Sequence, residues 1–262
     1  MPRITNKENL RNDGQPNKRK ARRDAAVRHG EGLDEQTQDA SIAELSFDER
    51  HAMVVDREHL VRLERRTTRR LQRAKLKQPA CVEDVNYRHP RGLDRKVFTE
   101  LATCRWINAK RNVIITGATG LGKTWLACAL ANKACREGFT TLYARVPRLV
   151  DELSAARADG TYLKFLARLE RIDMLLLDDW AITPLDRQAQ QDLLEVIDDR
   201  AGQRSTLVTS QMPVSKWHDT LGDPTVADAI LDRILGTATK IQLKTGRPCE
   251  VAKLLLQRSN DT

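Results

Sequence analysis

Apolar positions along the chain follow two patterns. Short unbroken apolar or β-branched runs occur at Val113–Thr116, Thr140–Tyr143, Met174–Leu177 and Ser205–Thr209, with a last short one at Lys240–Leu243. Such runs, without polar alternation, predict strands buried on both faces. Elsewhere apolar residues recur at steps of three and four. That spacing predicts helices over 94–109, from Lys123 until Gly138, over 148–157 and 161–171, over 186–201 after Pro184, and over 225–235. Strands alternating with helices predict an α/β fold, a parallel sheet with helices on both faces. Such a sheet gathers its ligands at the carboxyl ends of its strands.

The first part of the chain has a different pattern. Residues 1–40 are polar and basic with no apolar period, which predicts a disordered tail, either one that touches DNA phosphates or an inert solvated one. Residues 47–77 predict one long helix or a helical hairpin. Leu60, Leu63, Thr67, Leu71 and Ala74 fall on one face, and Arg62, Arg66, Arg69, Arg73 and Lys77 on the opposite one. Acidic residues hardly interrupt that basic stripe, so it is a candidate DNA-binding face; the alternative is a solvated face whose leucines dock on the main domain. Pro79 stops the helix, and residues 80–95 look like a linker.

Three strand ends carry chemistry. After Val113–Thr116 comes Gly117-Ala118-Thr119-Gly120-Leu121-Gly122-Lys123-Thr124, a G-x-x-x-x-G-K-[ST] loop between a strand and a helix N-terminus. Loop N–H groups and the helix dipole suit phosphate binding. Lys123 is placed to reach the β- and γ-phosphates, and the Thr124 hydroxyl to ligate Mg²⁺. Met174–Leu177 ends in Asp178-Asp179, two carboxylates that are costly at a buried strand end without a cation. Asp178 is the candidate Mg²⁺ carboxylate and Asp179 the candidate base that polarises water. Gln211, after Ser205–Thr209, is a candidate to orient that water. Arg233 is a candidate arginine finger toward a neighbouring subunit, or else an ion-pair partner of Asp228 or Asp232.

Composition narrows the partners. The net charge of +9 favours a polyanion, and aromatics at 4% argue against a base-stacking surface. The cysteines are odd in number and lack metal-ligand spacing; Cys128 and Cys135 fall on one helix as core residues. Reduced thiols, no apolar stretch near the roughly 20 residues of a membrane helix, and no apolar signal core point to the cytoplasm without a membrane.

Taken in order, these stretches resemble a known family. The resemblance rests on Ile42–Arg50, Pro90–Arg95, the phosphate loop through Trp125–Ala131, Arg157–Gly160, Leu177–Trp180, Arg204–Gln211 and Gly222–Arg233. The chain is similar to the IstB-like ATPase helpers of insertion-sequence transposons, relatives of DnaC-type helicase loaders within the AAA+ ATPases. The resemblance implies an AAA+ domain over 81–244, a helical DNA- or partner-binding extension over 41–80 and an irregular tail over 245–262. It further implies ATP and Mg²⁺ as cofactors, a homo-oligomer assembled on duplex DNA, deformation of that DNA and activation of a partner transposase, with hydrolysis resetting the complex. Two stretches depart from the family: residues 1–40 lack its leucine-rich helical opening, and Thr245–Glu250 offer no aligned nucleotide-sensing arginine. A helicase loader, a small-molecule kinase and a non-hydrolysing adaptor share the phosphate loop. Trp180 and Gly222-Asp223-Pro224-Thr225 favour the transposon branch, and the basic stripe is a feature a small-molecule kinase does not need.

Overall fold

The computed structural model describes residues 46–244. The expected basic tail at 1–40 and irregular tail at 245–262 lie outside the described residues. The described chain divides into two compact units, one ending at Arg66 and one starting at Thr67.

The first unit is the N-terminal part of helix α1 (Phe47–Ala74). A capping box starts the helix: the Ser46 N–H donates to Glu49 Oε2 at 2.8 Å, and the Glu49 N–H donates to Ser46 Oγ at 3.3 Å. Leu60 and Leu63, expected on a buried face, are 58% and 46% exposed. Among the described residues this unit has no second element to cover them. Glu58 pairs with Arg62 at 2.6 Å, so the basic stripe has acidic relief at its first member.

The second unit opens with the end of α1, where Ala74 is fully buried. Lys75 takes a left-handed backbone (φ 51°) and ends the helix three residues before the expected Lys77. The expected linker is not one. Val82–Asp84 forms a 3₁₀ turn, Val85 and Arg91 are buried, and Arg91 donates to Leu121 O in the phosphate loop at 3.3 Å. Helices α2 (Arg95–Ala102) and α3 (Arg105–Asn108) replace the single helix expected over 94–109, because Cys104 turns the chain at φ 59°.

Five strands form one parallel sheet in the order β2-β3-β4-β1-β5: β1 (Val113–Thr116), β2 (Thr141–Arg145), β3 (Met174–Asp178), β4 (Ser205–Ser210) and β5 (Thr239–Gln242). Alternate side chains feed two cores, as the period of two requires. Val113, Ile115, Met174, Leu176 and Leu207 face the first core, against α2, α3 and α4 (Lys123–Arg136). Ile114, Leu175, Leu177 and Val208 face the second. That side is covered by α5 (Val146–Ala158), α6 (Tyr162–Glu170), α7 (Arg187–Arg200), α8 (Trp217–Leu221) and α9 (Pro224–Leu235). Burial on both faces explains why the strands read as unbroken apolar runs.

Candidate functional site

The carboxyl ends of β1, β3 and β4 open on one cavity of about 340 Å³. It is lined by loop residues Thr119, Gly120 and Gly122, by Lys123 and Thr124, by Asp178 and Asp179, and by Gln211. Leu121 packs into the core below the loop, while Ala118 supplies a carbonyl to the site. Gly117 cannot be replaced cheaply: at φ 152°, a Cβ there would stand 2.7 Å from Leu243 O.

Lys123 begins α4 and is 8% exposed. Its Nζ donates to Ala118 O at 2.8 Å, a neutral acceptor. Burial lowers the pKa of this ammonium, while Asp178 and Asp179 pull the other way. A desolvated cation bonded to a neutral carbonyl fits an anionic ligand.

Asp178 is 1% exposed, at the tip of β3. It accepts from Thr124 Oγ1 at 2.9 Å, from Tyr143 OH at 2.7 Å and from the Thr209 hydroxyl. Burial and this bond push the Tyr143 phenol up, so it stays a donor. Thr124 and Asp178 are therefore an oxygen pair able to hold a hard cation.

Asp179 differs. It sits at φ 60°, where the chain leaves β3, and Arg145 Nε donates to its Oδ2 at 2.7 Å. The turn is locked from the next strand: the Trp180 N–H donates to Thr209 O at 3.0 Å, and Ser210 Oγ donates to Trp180 O at 2.7 Å. The Trp180 ring is fully buried against Trp217, centroids 5.7 Å apart. Gln211 Oε1 accepts from Thr119 Oγ1 at 2.6 Å, which ties β4 to the phosphate loop.

Two expected residues fall elsewhere. Arg233 lies on α9, away from the cavity lining, and pairs with Asp198 of α7 rather than with Asp228 or Asp232. Lys77 leaves the basic stripe because α1 ends before it; instead it lines the cavity, with Nζ 3.8 Å from Asp178 Oδ2. Arg62, Arg66, Arg69 and Arg73 are exposed along α1. Sequence reasoning missed Tyr143, Arg145 and Thr209. Arg145 and Thr209 sit at strand ends, the position that pointed to Asp178, and Tyr143 sits in the middle of β2; the polar end of β4 was the available signal for Thr209.

Residues 28–247 match the family described as IstB-like ATP binding protein. The chain belongs to that family. It is 49% identical over 200 residues to an insertion-sequence ATP-binding protein, y4pL, of Sinorhizobium fredii, covering 76% of this chain and 82% of that one. It is 47% identical over 184 residues to the insertion sequence IS1162 ATP-binding protein of Pseudomonas fluorescens, covering 70% and 80%. Among solved structures, DnaI aligns with TM-score 0.55 at 22% identity, covering 63% of this chain and 91% of that one. AMPPCP-bound DnaA of Aquifex aeolicus aligns with TM-score 0.54 at 21% identity, covering 71% and 57%. This IstB-like chain thus has the AAA+ fold expected of it and belongs to a family of ATP-binding proteins. Among the described residues no helix is long and apolar enough to cross a membrane.

Proposed function

We propose that this IstB-like protein is an ATP-dependent, DNA-binding helper of transposition. It assembles on duplex DNA as a homo-oligomer, deforms that DNA and activates the transposase of its own element, and ATP hydrolysis resets the complex. The supporting observation is the convergence of Lys123, Thr124, Asp178, Asp179 and Gln211 on one cavity, in a chain 49% identical to an insertion-sequence ATP-binding protein.

Each residue has a role in this reading. Loop N–H groups from Gly117 to Thr124 cradle the phosphates, and Lys123 neutralises the β- and γ-oxygens. Thr124 and Asp178 would hold Mg²⁺, whose charge offsets that developing on the phosphates. Asp179 takes the proton of the attacking water, and Gln211 orients that water. Arg233, released from Asp198, serves the neighbouring subunit's site. Arg62, Arg66, Arg69 and Arg73 contact DNA phosphates without reading bases. The working compartment is the cytoplasm.

The test is gel filtration of the full chain with duplex DNA, with and without ATP, beside a phosphate-release assay. ATP-dependent assembly and DNA-stimulated release are expected. Lys123→Ala should lose nucleotide binding, and assembly with it, because the loop loses its buried ammonium. Wild-type nucleotide affinity in Lys123→Ala would remove the phosphate-loop assignment, and DNA-independent behaviour of the parent would remove the helper role.

A further inference from the structure

Lys77 enters the nucleotide cavity from outside the phosphate loop. It lies beyond the end of α1, in a segment fixed to α4, the helix that follows the loop. Ala80 is fully buried against Cys128 and Ala129, with Leu76, Val82 and Trp125 packed around them. The backbone N–H groups of Lys77 and Gln78 face the Cys128 thiol. The main chain is therefore anchored on the helix that carries Lys123 and Thr124, while the Lys77 side chain stays 46% exposed on a flexible four-carbon stem.

Its ammonium is near Asp178 but not bonded to it. The 3.8 Å separation is longer than a charge-assisted hydrogen bond. Asp178 already accepts from the hydroxyls of Thr124, Tyr143 and Thr209. Lys77 is thus free to turn toward a stronger anion in the same cavity. The lining holds two cations, Lys77 and Lys123, against two carboxylates, Asp178 and Asp179. A triphosphate adds a large negative charge beside them. A divalent cation at Thr124 and Asp178 would repel the Lys77 ammonium from the carboxylate and toward the phosphates.

We propose that Lys77 binds the terminal phosphate of ATP as a second cation beside Lys123. The inference rests on reading the cavity as the ATP site, and it takes Lys77 out of the DNA-binding set. It makes the segment between α1 and the sheet part of the nucleotide site, so a triphosphate holds that segment where a diphosphate does not.

The test titrates the full chain with fluorescent ATP and ADP analogues in Mg²⁺, comparing Lys77→Gln, Lys77→Arg and Lys123→Ala with the parent. Lys77→Gln should weaken ATP about tenfold, the worth of one hydrogen bond to a charged group, and leave ADP within about twofold. Lys77→Arg should restore most of the ATP affinity, because it restores the charge. Unchanged ATP affinity in Lys77→Gln, with binding lost in Lys123→Ala, overturns this inference alone. Equal losses for ATP and ADP, with a lowered Tm of the nucleotide-free variant, also overturn it, because the side chain would then support folding. If Lys123→Ala binds as the parent does, the nucleotide reading of the cavity falls as well.

Discussion

Asp178 and Asp179 are neighbours in the chain with opposite environments. The Asp178 side chain is 2% exposed and accepts from three hydroxyls, whereas that of Asp179 is 17% exposed and pairs with the half-exposed Arg145. The first is built to stay put beside a cation; the second is able to exchange partners. Environments that separate two adjacent carboxylates are a common source of separate roles. Asp179→Asn should therefore keep nucleotide binding through Lys123, Thr124 and Asp178 and slow hydrolysis by about a hundredfold or more. Single-turnover phosphate release measures this, and a parent-like rate would pass the base role to another residue. At this scale the sequence was informative: the run Met174–Leu177 alone marks the strand whose end holds both acids. The Tyr143 hydroxyl was not legible, because only the parallel pairing of β2 with β3 brings it to Asp178.

Among the elements, helix starts were legible where a short polar side chain caps them. Asp94 accepts from the Lys96 N–H at 2.7 Å, Asp186 from the Ala189 N–H at 2.8 Å, and Asp223 from the Thr225 N–H at 2.9 Å ahead of Pro224. Interruptions were not legible, because they rest on left-handed residues other than glycine, Lys75 and Cys104. The first of these shortens α1 and leaves Arg66, Arg69 and Arg73 among the exposed cations on its last turns, beyond the Glu58–Arg62 pair. Replacing those three with Gln should weaken duplex binding equally at all sequences. The slope of log affinity against log salt should fall by roughly 0.9 for each phosphate that is no longer neutralised. Nucleotide affinity should hold, because these side chains do not line the cavity. An unchanged slope in a salt titration would move the DNA surface to another element.

For the whole molecule, the α/β class followed from the alternation of strands and helices, and the sheet order did not. Strand order depends on pairings such as Ile114 with Val208, which no local pattern encodes. One buried cation helps hold the layers in that order. Arg200, at the end of α7 and 2% exposed, donates to Leu169 O at 2.6 Å, Ile172 O at 2.9 Å and Ser205 O at 2.6 Å, joining the end of α6, the turn into β3 and the start of β4. Arg200→Leu removes the guanidinium donor from all three carbonyls, leaving Leu169 O with the Ile172 N–H at 3.2 Å, and should cost about 3 kcal/mol, read as a lowered midpoint in denaturant unfolding. A midpoint within error of the parent would mean that water satisfies the three carbonyls.

The strand ahead of the phosphate loop also sets when, during synthesis, that loop is finished. β1 pairs on one side with β4 and on the other with β5. The Gly117 N–H donates to Ser210 O at 3.2 Å, and the Leu243 N–H donates to Thr116 O at 2.7 Å. The loop is translated before β4 and β5, so its walls come from residues made later. A growing polypeptide that has emerged only through α6 carries every loop residue with neither flanking strand, and pairings so distant in sequence form late. Both flanks of the loop are therefore in place only once β5, the last strand of the sheet to be made, has been added.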